Sequence, residues 1–162
     1  MNTEMFPNMP LSARLFVYTS DKTLDFSEYS DFSQNMQEFI DNWKAHGTML
    51  DASFMIIANR VLIIVVDEKE QIATGCSIDS LNRHLQSSEF YWFSRHWVLH
   101  TSNQPSVFGD WTVSDLHDFH EKCRSGLLSR DEYILNTTVL TVEEMRKELV
   151  QKVSESWHNK ML

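Results

Sequence analysis

The sequence predicts an α+β fold: one two-layer domain, with a mixed or antiparallel sheet of four to five strands packed by about four helices. Three observations carry this reading. Two strongly apolar runs, 52–58 and 60–66, flank a short break at Asn59-Arg60, and Asn tolerates turn geometry, so 52–66 forms a central β-hairpin. Elsewhere, apolar residues recur at helical spacing in several separate stretches. Strand-like and helix-like segments interleave along 162 residues, which is one domain by size (1–162) and long enough to bury a core.

Residues 1–12 hold two of the three prolines and read as an irregular arm. Arg14 to Thr19 is β-branched and aromatic, a short strand. Phe32, Met36, Phe39, Ile40 and Trp43 line one face of a helix over about 30–46, with Ser30 or Asp31 as cap and His46-Gly47 as stop. The run Val61–Val66 is apolar at every position, so that strand is central and covered on both faces. Thr74 or Ser77 caps a helix to about Ser87, with Ile78, Leu81 and Leu85 inward. The segment 90–99 is aromatic-rich, and Trp97–His100 reads as a strand.

Residues 103–110 form a loop. Thr112-Val-Ser-Asp115 resembles a capping box and opens a helix with Val113, Leu116, Phe119 and Cys123 inward, ended by Gly126. Tyr133–Val139 reads as a strand. Thr141-Val-Glu-Glu144 starts a last helix with Val142, Met145, Leu149 and Val153 on one face. The tail from 154 to 162 keeps a Trp and apolar ends and docks on the core.

The net charge is −9, from 14 basic and 23 acidic residues, with no run of Lys or Arg. Phosphate backbones and anionic membranes are bound by clustered cations, so neither nucleic acid nor a membrane surface is the expected partner. Cys76 and Cys123 stand far apart without a C-x-x-C, which argues against a disulfide framework and a cysteine zinc site. The first residues lack a signal-peptide pattern, and Val61–Val66 is too short to span a bilayer, so a cytoplasmic protein is expected. No cofactor is called for. Exposed aromatics over 90–97 would carry a homodimer.

Five places invite chemistry. Val61–Glu68 looks like a Walker B strand, but no G-x-x-x-x-G-K-[ST] accompanies it, so it reads as a buried strand with an acidic exit. Cys76 falls at a helix N-terminus, where the macrodipole favours a thiolate and backbone N–H groups favour a small anion; packed, it is simply a small core residue. Hairpin geometry puts both ends far from Asn59 on one rim, so His46-Gly47 and Gly75–Asp79 become neighbours, and Cys76, His46 and Asp79 are a candidate nucleophile, base and orienter. His117/His120 and His96/His100 have helical or alternate spacing, yet His117 and His120 lie off the apolar stripe, so no metal site is assigned. Trp157-His158 reads as a packed anchor, functional only where the tail reaches that rim.

The leading expectation is a non-enzymatic module that binds a protein or small molecule through His46, Gly47, Arg60, Gly75, Cys76, Ser77, Asp79 and His158. A Cys76 thiol enzyme, and an anion or nucleotide site near Ser77, are the alternatives.

Several motifs fall together: W-K-A-H-G-T (43–48), L-D-A-S-F (50–54), V-D-E (66–68), A-T-G-C-S-I-D-S (73–80), N-T-T-V-L-T-V-E-E (136–144) and S-W-H-N-K-M-L (156–162). Their order resembles a family of short bacterial proteins that carry the default label "ABC transporter ATPase" without ATPase motifs. The resemblance implies a bacterial cytoplasmic protein with no assigned activity. It also draws attention to Trp43, Asp67, Asn136 and Trp157 beside the residues named above. The chain departs from that pattern most between Ser87 and Trp111.

Overall fold

The computed structural model describes residues 5–162; residues 1–4 of the expected arm lie outside the described residues. The α+β class is as read from sequence, with four α-helices and three antiparallel sheets. The first sheet has the order β1 (Arg14–Thr19), β5 (Val61–Asp67), β4 (Asp51–Ile57). A small ribbon pairs β2 (Lys44–Ala45) with β3 (Thr48–Met49). The second sheet has the order β7 (Thr112–Asp115), β6 (Trp97–Thr101), β8 (Tyr133–Leu135), β9 (Val150–Lys152).

The expected hairpin is present, with Ile57 opposite Val61 and Ala52 opposite Val66. Ala58 and Asn59 both take left-handed backbone (φ 54° each), and the Arg60 N–H closes the turn on the Ile57 carbonyl at 3.0 Å. β5 lies between β1 and β4, and every residue from Val61 to Val66 is fully buried. Its alternation divides the core. Leu62, Ile64 and Val66 pack under α1 (Phe26–Asp41) and α2 (Gly75–Gln86), against Met36, Leu81 and Trp92. Val61, Ile63 and Val65 face Leu99, Leu135 and Val113 of the second sheet, with Met145 and Leu149 beside them from α4 (Val142–Glu148) and its C-terminal cap. The far face of the second sheet presents Val98 and Ile134 to Phe119 and Cys123 of α3 (Leu116–Arg124).

Two stacked sheets, each with its own helices outside, thus replace the single sheet expected from sequence. The strands of the second sheet are three to five residues long, too short for their period-2 pattern to declare a separate layer.

Several local readings need correction. Helix α1 starts at Phe26, capped by Asp25, which accepts from the Glu28 N–H, rather than by Ser30 or Asp31, and the strand expected over 133–139 stops at Leu135. Helix α1 ends at Asp41 rather than near His46; Asn42 caps it, its side-chain amide donating to the Glu38 carbonyl at 2.8 Å. The chain then leaves the helix because Trp43 Nε1–H donates to the Ser77 carbonyl at 2.8 Å, which ties this corner to α2. His46-Gly47 is therefore not a helix stop. Both residues have positive φ (51° and 75°) and form the tip of the β2–β3 ribbon, the geometry of a two-residue hairpin turn. Residues 112–115 are strand, not helix: they pair with 97–100, and Asp115 caps α3 by accepting from the His117 and Asp118 N–H groups.

A further correction is His120, expected at the solvated face. It is buried, because the C-terminal 3₁₀ turn Trp157–Met161 packs over that side of α3. The tail docks as expected, yet it buries Ser156 and His158 (4% exposed) rather than Trp157 (38% exposed).

Candidate functional site

The rim expected from the hairpin exists in part. Trp43 and Ser77 join the β2 corner to the start of α2, and Thr74 and Ser77 form a reciprocal capping box. Gly75, Cys76 and Asp79 lie exposed on that first turn, and His46 and Gly47 lie exposed on the ribbon tip. Among the described residues, His46, Cys76 and Asp79 share no hydrogen bond or ion pair. Ser77 is committed to the cap and buried.

Arg60 is not on this rim. It sits at the opposite end of the hairpin, donating to Thr23 Oγ1 and the Asp21 carbonyl at 2.9 Å each and stacking over Trp97 at 4.7 Å. There it staples the turn to the 20–24 segment. Asp67 and Glu68 shape the exit from β5: Asp67 accepts from the Lys69 N–H and Glu68 from the Ala73 N–H.

The concavity lies elsewhere, at the seam between the two sheets. A cavity of about 470 Å³ is lined by Val17–Thr19 of β1, Trp92–Arg95, Trp97 and Val98 of β6, Leu116, Leu135, Thr137, Thr138, Trp157 and His158. That volume suits a small organic ligand. Of the eight residues singled out from sequence, His158 alone lines it.

Strand pairing explains why space remains there. The outer edge of β1 is bridged at one end, where the Leu15 N–H donates to the Leu140 carbonyl at 2.9 Å. It is bridged at the other, where the Ser94 N–H donates to the Thr19 carbonyl at 3.2 Å. Leu15 and Thr19 point away from β5, so by alternation Val17 does too. Its N–H and C=O have no backbone partner among the described residues.

The wall chemistry is distinctive. Trp92, Trp97, Tyr18, Phe93 and Trp157 supply aromatic surface, and the Tyr18 and Phe93 rings meet edge-to-face at 5.7 Å. The indole N–H groups of Trp92 and Trp97 have no acceptor among the described residues, but both nitrogens are closed off from the cavity's open space, so the walls present ring faces and edges rather than these donors. The Tyr18 hydroxyl is engaged with Asn82 Oδ1 at 3.1 Å, and burial raises its pKa to about 12, so it stays protonated.

Among the described residues no carboxylate lines this cavity, and Arg95 is its one fixed charge. His158 is neutral near pH 7, since burial first, and His120 second, lower its pKa to about 4. Its Nδ1 lies 2.9 Å from His120 Nε2, and its ring stacks on Trp157 at 4.0 Å.

Sequence reasoning missed this site because its lining comes from several separate segments. The signals available were the aromatic density of 90–97 and the Trp-His tail, and both do reach it. No family model, curated protein or solved structure matches this chain.

Proposed function

We propose that the protein is a binding module, acting in the cytoplasm, whose ligand is a small planar aromatic molecule bearing a carboxylate, sulfonate or carbonyl acceptor. One observation carries the reading: the cavity is walled by aromatic rings, and among the described residues the charge that lines it is the Arg95 guanidinium, with no carboxylate beside it. The apolar body of such a ligand stacks on Trp and Phe surfaces, and its acceptor meets the Arg95 guanidinium. The motif resemblance brings no activity to transfer, so the reading rests on the cavity. The rim at His46 and Gly75–Asp79 offers exposed polar groups but no convergence of them, and it is the weaker place for a ligand.

The test is fluorescence titration with 8-anilinonaphthalene-1-sulfonate, and with its uncharged relative N-phenyl-1-naphthylamine. The sulfonate should bind saturably at one site per chain and more tightly than the neutral probe. Arg95→Met keeps an apolar stem but removes the charge, and should weaken sulfonate binding about tenfold or more, the worth of one charge-assisted hydrogen bond. Equal affinity for the two probes, or no change in Arg95→Met, would overturn the proposal.

A further inference from the structure

The far face of the second sheet holds a second constellation. Ser114 Oγ lies 2.8 Å from His100 Nε2, and His100 Nδ1 lies 2.8 Å from Glu132 Oε1. The strand register creates it. Ser114 pairs with Val98 and Ile134 pairs with His100, so Val98, His100, Ser114, Ile134 and Glu132 project on one face. None of the three polar residues lines the cavity described above, and the inference does not depend on it.

We propose that Ser114, His100 and Glu132 form a hydrolytic relay for small uncharged carboxylic esters. Two features separate it from a network buried only to satisfy a histidine. The first is the gradient of burial: Glu132 and His100 are buried, whereas Ser114, on the outermost strand of its sheet, is only partly buried. The serine is the end of the relay nearer solvent. The second is an available oxyanion donor. The Leu116 N–H donates to the His96 carbonyl, which makes Ser114 and Val98 a bonded pair and turns the Asp115 amide outward, off the free edge. That amide belongs to the residue after the serine, where acyl-transfer sites place an oxyanion donor.

The roles follow from hydrogen-bond capacity. A carboxylate only accepts, so Glu132 holds the proton on His100 Nδ1 and leaves the Nε2 lone pair to accept from the Ser114 hydroxyl. As Ser114 Oγ bonds to the ester carbonyl carbon, its proton passes to Nε2. When the ester C–O bond breaks, that proton leaves with the alcohol and the acyl group stays on Oγ. Water then attacks the acyl carbon, giving its proton to Nε2, which returns it to Oγ as the carboxylic acid departs. The sum is ester plus water to acid plus alcohol.

Hydrolysis of p-nitrophenyl acetate and labelling by phenylmethanesulfonyl fluoride, located by peptide mass spectrometry, test the relay. The native protein should hydrolyse the ester with saturation, take the label on Ser114, and lose about 100-fold or more in kcat/KM in Ser114→Ala. Glu132→Gln should lower kcat about tenfold and leave KM unchanged, the pattern of a positioning group. An unlabelled Ser114 in the folded native protein, or hydrolysis unchanged in Ser114→Ala, would overturn it. So would a Glu132→Gln variant that keeps full kcat.

Discussion

Acid should loosen this protein well before its carboxylates titrate, and the docked tail supplies the reason. His158 and His120 are buried and share one hydrogen bond. Burial lowers both pKa values, His158 to about 4. In the unfolded chain an ordinary histidine takes up its proton near pH 6.5, so over that interval the unfolded state binds more protons than the folded one. Stability therefore falls as pH drops through 6.5 and levels off below the folded value near 4. Integrating the His158 shift between pH 7 and pH 5 gives a loss of about 2 kcal/mol. His120 adds to it in the same direction.

The assay is urea unfolding at pH 7 and pH 5 on the native protein and His158→Gln. The variant is less stable at pH 7, because His120 loses its partner, but its stability should change by about 2 kcal/mol less between the two pH values. Carboxylate effects cancel in that comparison. An equal acid-induced loss in both proteins would refute the buried neutral pair.

Two further outcomes are expected. Ala58 pays for its left-handed backbone at φ 54°, a conformation open to glycine, so Ala58→Gly should raise stability by roughly 0.5–1 kcal/mol, read as a higher urea midpoint. Cys76 is exposed and Cys123 buried, so Ellman's reagent should modify one thiol in the native protein and two after denaturation, with Cys76→Ser removing the fast one.

The parts legible in the sequence were those whose pattern is local and long. β5 declares itself by six successive apolar residues, and α2 by a Thr74–Ser77 cap with Leu81 and Leu85 behind it. Where tertiary pairing competes with a local signal, the local signal misleads. Thr112–Asp115 has the letters of a cap, but a four-residue stretch opposite Trp97–His100 gains more from a ladder, and the cap passes to Asp115 alone. His46-Gly47 fits a helix stop equally as a hairpin tip, and the Trp43 indole bond to Ser77, thirty-four residues away, decides between them. His120 is the same lesson in burial: its helix face is polar by spacing, and only the returning tail covers it.

The cavity descends from one break in pairing. Had β1 continued into the second sheet, the outward N–H and C=O of Val17 would have been consumed by a neighbouring strand, and Trp92 and Trp97 would have packed against it. Instead, among the described residues, the outer edge of β1 is bridged at Leu15 and Thr19, with a gap between them. The gap becomes the cavity, with the outward N–H and C=O of Val17 on one wall and aromatic rings on another. Ser114 owes its place to a separate feature, the position of β7 as the outermost strand of the second sheet. The buried hairpin that dominates the sequence therefore builds neither site: it fixes the first sheet, and the cavity arises where the pairing of that sheet stops.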